Sequence, residues 1–378
     1  MNVGIYIYQL KNWPKFTWDQ KSFAKLLSEV RYSQGRLLGR MESLGFPLQK
    51  EATLETLTLD VLKSSEIEGE VLDAGQVRSS IARRLGMDIA GLIPADRHVE
   101  GVVEMMLDAT QNYQGTLTDK RLFSWQAALF PTGHSGMHKI VVGNWRDNTQ
   151  EDPMQVVSGP SGREKVHFQG PDSDILKQEM NLFIEWFNTE EGLDPVIKAA
   201  IAHLWFVTVH PFDDGNGRIA RAITDMQLAR ADGSKQRFYS MSSQIRKERK
   251  DYYDILEKTQ KDSLDITDWL SWFLRCFDRT IHATDETLLV VMRKARFWEQ
   301  HAVTSLNERQ VLMLNKLLDG FFGKLNSSKW ATITKSSSDT AVRDINDLIL
   351  RHILVKEQAG GRSTSYILLD VWQHNGRL

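Results

Sequence analysis

The sequence predicts a mainly α-helical protein with one small β-hairpin and a C-terminal region of a different pattern. Three observations carry this expectation. Apolar residues recur at three- and four-residue spacing through most of residues 1–95, as in KSFAKLLSEVRYSQGRLLGRMESLG. The run from Pro195 to Val209 (PVIKAAIAHLWFVTV) is apolar with helical spacing, and IARAITDMQLAR follows it as a second helix. Two short apolar stretches flank Gly159 to Gly162 within 154–173 (MQVVSGPSGREKVHFQGPDS), the pattern of a hairpin.

Taken in order, an aromatic-rich start (IYIYQLKNWPKFTWD) leads into the helices of an N-terminal domain, residues 1–95, with Trp13 and Trp18 as docking contacts and Pro94 near its boundary. A core follows over 96–290, and a third region spans 291–378. A chain of 378 residues, 41% apolar, suits two or three such domains with substantial cores. Lys+Arg of 47 against Asp+Glu of 49 leaves a formal charge of −2, so no polyelectrolyte partner is demanded. The one cysteine, Cys276, excludes an internal disulfide and a Cys-rich zinc site, and WFLRCFD reads as buried helix. No signal peptide is expected at the start, and no apolar run reaches the ~18–20 residues that cross a bilayer, so the expected location is the cytoplasm, with no membrane partner.

The most informative residues are HPFDDGNGRIAR, His210 to Arg221. Gly215, Asn216 and Gly217 allow a tight turn and close backbone approach to a ligand. The helix that follows offers unpaired N–H groups and a partial positive charge, a ready anion site that takes in its first residues, Arg218, Ile219, Ala220 and Arg221. Arg218 and Arg221, three apart, project to one side, where two guanidinium forks clamp terminal phosphates. Asp214 is a hard oxygen ligand where magnesium would bridge phosphates. His210 is the side chain suited to accept a proton near neutral pH. Phe212 reads as an anchor in the core.

These twelve residues match every fixed position of HxFx(D/E)GNGRxxR, and the chain resembles the Fic family on them. The resemblance implies a Fic-type helical core with a small β-hairpin flap, and transfer of AMP from ATP, with Mg2+, to a Ser, Thr or Tyr hydroxyl of a protein. It makes His210 the general base, Asp214 the metal ligand and Gly215 to Arg221 the phosphate site. The intact GNGR differs from the changed cradle of the Doc-like kinases, which favours α- over γ-phosphoryl transfer. Phosphocholine- and UMP-transferring relatives remain open alternatives.

Further upstream, Ser64, Glu68 and Gly69 fit the inhibitory pattern [S/T]xxxE[G/N] of autoinhibited Fic proteins. Ser64 and Glu68 share a helix face, and Gly69 suits a helix C-terminus. The resemblance implies that Glu68 pairs with Arg221. It also implies that the hairpin is a flap pairing with the target backbone, preceded by an aromatic–arginine pair, here Trp145-Arg146. The helix over Ser242 to Gln260 would close the nucleotide pocket, with Tyr252 and Tyr253 beside adenosine; Gln260 stands where some relatives have Asn.

From about residue 305 the pattern becomes helix, turn, longer helix and a hairpin around Gly360-Gly361, which resembles a winged helix-turn-helix. SDTAVRDINDLILRHIL has the layout of a recognition helix, with Ser338 or Asp339 as N-cap and Arg362 on the wing. Ten Lys/Arg against seven Asp/Glu over 306–378 make it only mildly basic, and Asp339, Asp344 and Asp347 would face a polyanion poorly. The expected function is an autoinhibited protein adenylyltransferase that acts on a hydroxyl-bearing protein, itself included. Its relatives suggest a homodimer and a capacity to remove AMP as well. The alternative is a nucleotide-sensing, DNA-binding transcriptional regulator with a weakly active core.

Overall fold

A computed structural model of the chain describes residues 5–43, 45–87, 89, 91–149, 151–159, 163–318, 321, 323–357 and 364–369. The chain divides into two compact units, one of residues 1–87 and 93–287 and one of 88–92 and 288–378. The N-terminal and central segments thus share one unit.

In chain order the first unit contains α1 (Gln20–Glu42), α2 (Phe46–Ile67), α3 (Ala74–Arg84), α4 (Arg97–Gln111) and α5 (Asp119–Leu129). Two short antiparallel pairs follow, β1 (His134–Ser135) with β2 (His138–Lys139) and β3 (Gln155–Ser158) with β4 (Lys165–Gln169). Then come α6 (Ser173–Thr189), α7 (Pro195–Val209), α8 (Asn216–Asp232), α9 (Met241–Lys247), α10 (Arg249–Gln260) and α11 (Thr267–Gln300), the last running on into the second unit. The helical expectation is met. Among the described residues no helix is long and apolar enough to cross a membrane.

Local chemistry explains the helix starts. Asp19, Asp73, Asp96, Thr118, Asp194 and Ser240 each accept a hydrogen bond from a first-turn N–H, a cap that stabilises a helix by about 1 kcal/mol. Pro195, already restricted to a helical φ, follows the Asp194 cap at the head of α7. Every side chain of α7 from Val196 to Val209 is buried, as is α8 from Arg218 to Ala229. This pair is the central layer of the unit: α6 packs on α7, and α2, α4 and α5 pack on α8. α7 is apolar on nearly all faces because it is covered on all faces, whereas the equally buried α8 carries Arg218, Arg221, Thr224 and Asp225. Trp13 reaches this layer edge-on, with its ring 6.0 Å from Trp205 and its Nε1–H donating to Glu179 at 2.8 Å. Cys276 is buried in α11.

In the β3–β4 pair the register shifts between Val156 and Val157, leaving His167 as the extra residue of a bulge. Its Nδ1 lies 2.6 Å from Glu257 of α10, and its Nε2 lies 2.6 Å from Ser158 Oγ. Of the expected turn, Gly159 is described and residues 160–162 lie outside the described residues.

The second unit holds α12 (Glu308–Leu318), α13 (Ser327–Thr334), α14 (Ser338–Leu350) and the antiparallel pair β5 (Leu354–Lys356) and β6 (Tyr366–Leu368). Its core gathers Trp330, Met313, Leu314, Ile345, Leu348 and Leu354. Two expectations need correction. Neither Ser338 nor Asp339 caps α14: Ser337 does, its Oγ accepting from Thr340 N–H at 3.2 Å, with Asp339 in the first turn. Asp344 does not face outward. It is 5% exposed and accepts from Arg309 Nε at 2.7 Å and Asn307 Nδ2 at 3.0 Å. Asp347 accepts from Gln310 and Arg351. Gly360, Gly361 and Arg362 lie outside the described residues.

His203 joins three helices of the first unit. Its Nδ1 lies 2.9 Å from Thr224 Oγ1 on α8 and its Nε2 lies 2.8 Å from the Tyr252 hydroxyl on α10. Burial, with Arg221 nearby, lowers its pKa to about 3. The unfolded chain therefore takes up a proton near pH 6.5 that the folded chain refuses, so stability is lost as pH falls below the unfolded value. From about pH 7 to about pH 5 this one group is expected to cost about 2 kcal/mol. Urea unfolding of His203→Gln should show a correspondingly smaller difference between the two pH values. An equal difference in variant and parent would exclude His203 as the source.

Candidate active site

The α7–α8 connection turns on two left-handed residues. His210 closes α7 at φ 50°, ψ 59°, and Gly215 opens α8 at φ 90°. Between them Asn216 staples the loop, accepting from Phe212 N–H at 3.0 Å and donating to Phe212 O at 2.7 Å. The Phe212 ring is fully buried against Trp145, Phe123 and Phe206. The Asn216 amide is thus committed inside the loop, and Asn216 can meet a ligand only through its main chain.

The half-buried His210 ring donates from Nδ1 to Val207 O at 3.1 Å, which leaves Nε2 with its lone pair. Burial pushes its pKa down to about 4, and Arg146 adds to this, outweighing the opposing Val207 carbonyl, Glu68 and Asp214. The ring is therefore neutral near pH 7 and able to accept a proton. The first intrahelical bond of α8 runs from Ile219 N–H to Gly215 O at 2.9 Å, so the N–H groups of Asn216, Gly217 and Arg218 precede it and form the anion-attracting end of the helix. Ile219 and Ala220 are fully buried. They pack α8 into the core, which corrects the expectation that they line the cradle.

Asp214 sits at the mouth, its Oδ1 accepting from Gly215 N–H at 2.6 Å and its Oδ2 from Ser135 Oγ of β1. Its side chain is 42% exposed, 3.9 Å from Arg218 Nη2. Among the described residues no group of three or more His, Cys, Asp or Glu side chains gathers to hold a metal. One accessible carboxylate fits magnesium that arrives on phosphate oxygens, because that ion commonly takes one or two carboxylates plus substrate and water. The neighbouring Asp213 instead accepts from Val141 N–H.

The C-terminus of α2 reaches into this cradle. Glu68 caps the helix, and Gly69 follows at φ 87°. Gly69 N–H bonds Glu66 O at 3.1 Å and Glu70 N–H bonds Ser65 O at 3.0 Å, the paired closure that a left-handed glycine permits. The helix stops sharply there, and its last acids point at α8. Glu68 Oε1 lies 2.8 Å from Arg221 Nη2. Ser64 adds two acceptors, its Oγ to Arg221 Nε and its carbonyl to Arg221 Nη2, each at 2.9 Å. Burial opposes the Arg221 charge, but Glu68 together with Tyr252 and Tyr253 outweighs burial and holds its pKa above the usual value. Arg221 Nη1 is buried without a hydrogen-bond partner. A Cβ on Gly217 would stand 2.2 Å from Glu68 Oε1, so only glycine lets the carboxylate lie against the cradle.

Glu70 holds no motif position in the sequence, yet it joins the cradle. Its Oε2 lies 2.6 Å from Arg218 Nη1 and 3.4 Å from His98 Nε2. Burial raises the Glu70 pKa, yet the donors on His98 and Arg218 outweigh it and hold the carboxyl below its usual range. Arg218 is buried with its guanidinium 5.1 Å above the Phe130 ring. The sequence held one clue to Glu70, its place two residues past Glu68 across a glycine turn.

The tyrosine pair divides. Tyr252 is 2% exposed with its hydroxyl on His203, whereas Tyr253 is 37% exposed and carries the Arg249 guanidinium 5.4 Å over its ring. A base can therefore stack on Tyr253 alone. Gln260 is buried beneath α7, donating to Thr208 and Val207.

Residues 116–228 match the Fic/DOC family, and residues 6–87 match a domain of unknown function, DUF4172. The chain is 29% identical over 238 residues to Protein adenylyltransferase Fic of Aedes aegypti, covering 61% of this chain and 42% of that relative. It is 36% identical over 115 residues to Protein adenylyltransferase Fic of Nematostella vectensis, covering 30% and 25%. The chain thus spans less than half the length of these curated relatives. Its fold resembles the crystal structure of a Fic family protein from Desulfovibrio desulfuricans G20, with a TM-score of 0.52 and 19% identity over 94% of this chain and 98% of that one.

The closure at Gly69 predicts a graded cost. Gly69→Ala places a Cβ in the left-handed region and is expected to lower the unfolding free energy by about 1–2 kcal/mol, with Gly69→Asn costing less. Equal losses for the two in urea unfolding would mean that conformation is not what selects glycine.

Proposed function

We propose that this chain, which carries a Fic/DOC-family domain over residues 116–228, is a protein adenylyltransferase held off by its own Glu68. One observation carries the reading. A neutral His210, the N–H cradle of α8 and both arginines converge on one mouth, and the acid end of α2 is seated on the anion site. The adenylyltransferase names of the curated relatives agree with it.

In the proposed reaction the phosphates of ATP lie against the N–H groups of 216–218, with Arg218 and Arg221 on the outer phosphates. Asp214 holds magnesium, which neutralises phosphate charge when bound. His210 Nε2 takes the proton of a Ser, Thr or Tyr hydroxyl. That oxygen bonds to the α-phosphorus in line as the bond to the β-phosphate bridging oxygen breaks, and pyrophosphate leaves. Positioning and charge stabilisation supply most of the acceleration. The β3–β4 hairpin presents the target backbone, Tyr253 flanks the base, and the acceptor is a protein in the cytoplasm, this chain included, with a homodimer as the working form.

Glu68 opposes this chemistry by charge. Its carboxylate holds the guanidinium that the γ-phosphate needs and repels that phosphate from Gly217. Removing Glu68 strips a buried cation of its partner, a state that costs several kcal/mol and favours any incoming anion. The same carboxylate is placed to orient a water for removal of AMP. Glu68→Gly is therefore expected to raise transfer from α-labelled ATP by at least about tenfold, with no transfer from γ-labelled ATP. His210→Ala is expected to abolish it. The Glu68→Gly rate should stay flat from about pH 6 to about pH 8, because burial holds His210 neutral there. Label from γ-ATP alone, or a folded Glu68→Gly with no gain, would overturn the reading.

A second reading, a nucleotide-sensing DNA-binding regulator, is favoured by the second unit. With Asp344 buried, the outer face of α14 presents Ser338, Asp339, Val342, Arg343 and Asn346. Anisotropy titrations with genomic duplexes should then show affinity falling steeply with salt, and Arg343→Ala should weaken it. No binding at low salt would remove this reading.

A further inference from the structure

We infer that Arg146 is a positioning residue for the transfer reaction: its guanidinium locks the main chain of His210 and ties it to the exit of the β3–β4 flap. The inference rests on the transferase reading for its catalytic meaning and on geometry for its content.

A left-handed backbone at a residue with a Cβ is strained and persists only where its surroundings over-determine it. His210 is the C-cap of α7, so the helix offers its carbonyl no donor. Arg146 Nε supplies the missing donor at 2.7 Å. The same guanidinium donates from Nη2 to Pro171 O at 2.5 Å and from Nη1 to Asn148 Oδ1 at 3.2 Å. The Arg146 main-chain N–H bonds Pro211 O at 3.0 Å, so residue 146 grips both sides of the 210–211 peptide link.

Pro171 lies two residues past the end of β4, on the way into α6. Between them Gly170 N–H bonds Met154 O at 3.0 Å across the base of the hairpin, and Gly170 O accepts from the Tyr8 hydroxyl at 3.3 Å. A Cβ on Gly170 would stand 3.7 Å from His210 Cβ, so flap exit and base are in near contact. Arg146 is 3% exposed, and all three of its donor groups point at partners that are themselves fixed. A planar fork with this spread holds two carbonyls at a set separation, which a lysine amine cannot reproduce. The consequence is one distance: from the proton acceptor on α7 to the strand pair that presents the hydroxyl. Arg146 touches neither ATP nor acceptor in this arrangement, so its effect falls on turnover and not on nucleotide affinity.

The test uses the full chain in the Glu68→Gly background, with Arg146→Gln and Arg146→Lys compared for turnover from α-labelled ATP, for ATP affinity by calorimetry, and for the 13C shifts of His210 in histidine-labelled protein assigned against His210→Ala. Both variants are expected to lose about a hundredfold in kcat, the scale of a misplacement of about 1 Å, while the ATP Kd stays within about threefold. The His210 shifts should leave the left-handed range. Arg146→Lys keeps charge and bulk, and so serves where Arg146→Gln does not fold. Full turnover in Arg146→Lys would show that charge suffices and overturn the inference, as would kcat and ATP affinity falling together. If the Glu68→Gly parent itself transfers nothing, the transferase reading fails on its own, and unchanged His210 shifts in Arg146→Lys would overturn the lock separately.

Discussion

The arrangement depends on one buried cation. Arg221 stands on α8 in a layer where nearly every other side chain is packed, and its guanidinium must find counter-charge inside the protein. Glu68 provides it from the end of α2, and Ser64 adds two neutral acceptors. An ion pair of this kind is weak evidence of net stability, because desolvation offsets much of the attraction. Its value is positional. It fixes where α2 ends, which acid faces the cradle and what an incoming anion must displace.

The mouth itself is built by two conformational exceptions. His210 and Gly215 are both left-handed, and the Asn216 staple closes the turn between them. The result places a lone-pair nitrogen and a helix N-terminus on one side of a loop of a few residues. Neither helix could be moved independently, since α7 and α8 are covered on all sides. The packed pair of helices holds the mouth, and the β3–β4 hairpin and the end of α2 reach it from outside.

What was legible in the sequence was what lies close together along the chain. His210, Asp214, the glycines and the two arginines sit within twelve residues, and the helix periodicity around them is strong. Ser64, Glu68 and Gly69 were legible for the same reason, as one helix face and its closing turn. Ile219 and Ala220 were misassigned because adjacency in a motif was taken for adjacency to ligand, whereas a helix turns successive residues to different sides. Tyr252 and Tyr253 differ by one residue and hence by about 100° around α10, which buries one ring and leaves the other accessible. Arg146 was named only by resemblance and Glu70 only by its place beyond Gly69, since the roles of both come from partners 64 and 148 residues away. Asp344 looked like a surface acid until Arg309 and Asn307, from the start of α12, came to meet it.

Glu70 changes how the acid end of α2 should be understood. Glu68 alone would make a single plug on the second arginine. With Glu70 on Arg218 the same turn places a carboxylate on each guanidinium group of the cradle, one acid on each side of Gly69. The two contacts are not equivalent. Arg221 has Ser64 as a further acceptor, while each of the two guanidinium groups keeps one buried nitrogen without a partner, Nη1 of Arg221 and Nε of Arg218. Glu70 is shared with His98, which leaves it less dependent on Arg218. On the proposed transferase reading, phosphate oxygens would take the place of Glu68 at Arg221, while Glu70 keeps its contact with His98. On that same reading, Glu68 is the carboxylate whose departure would admit the nucleotide, and Glu70, with His98 as a second partner, the one that would remain.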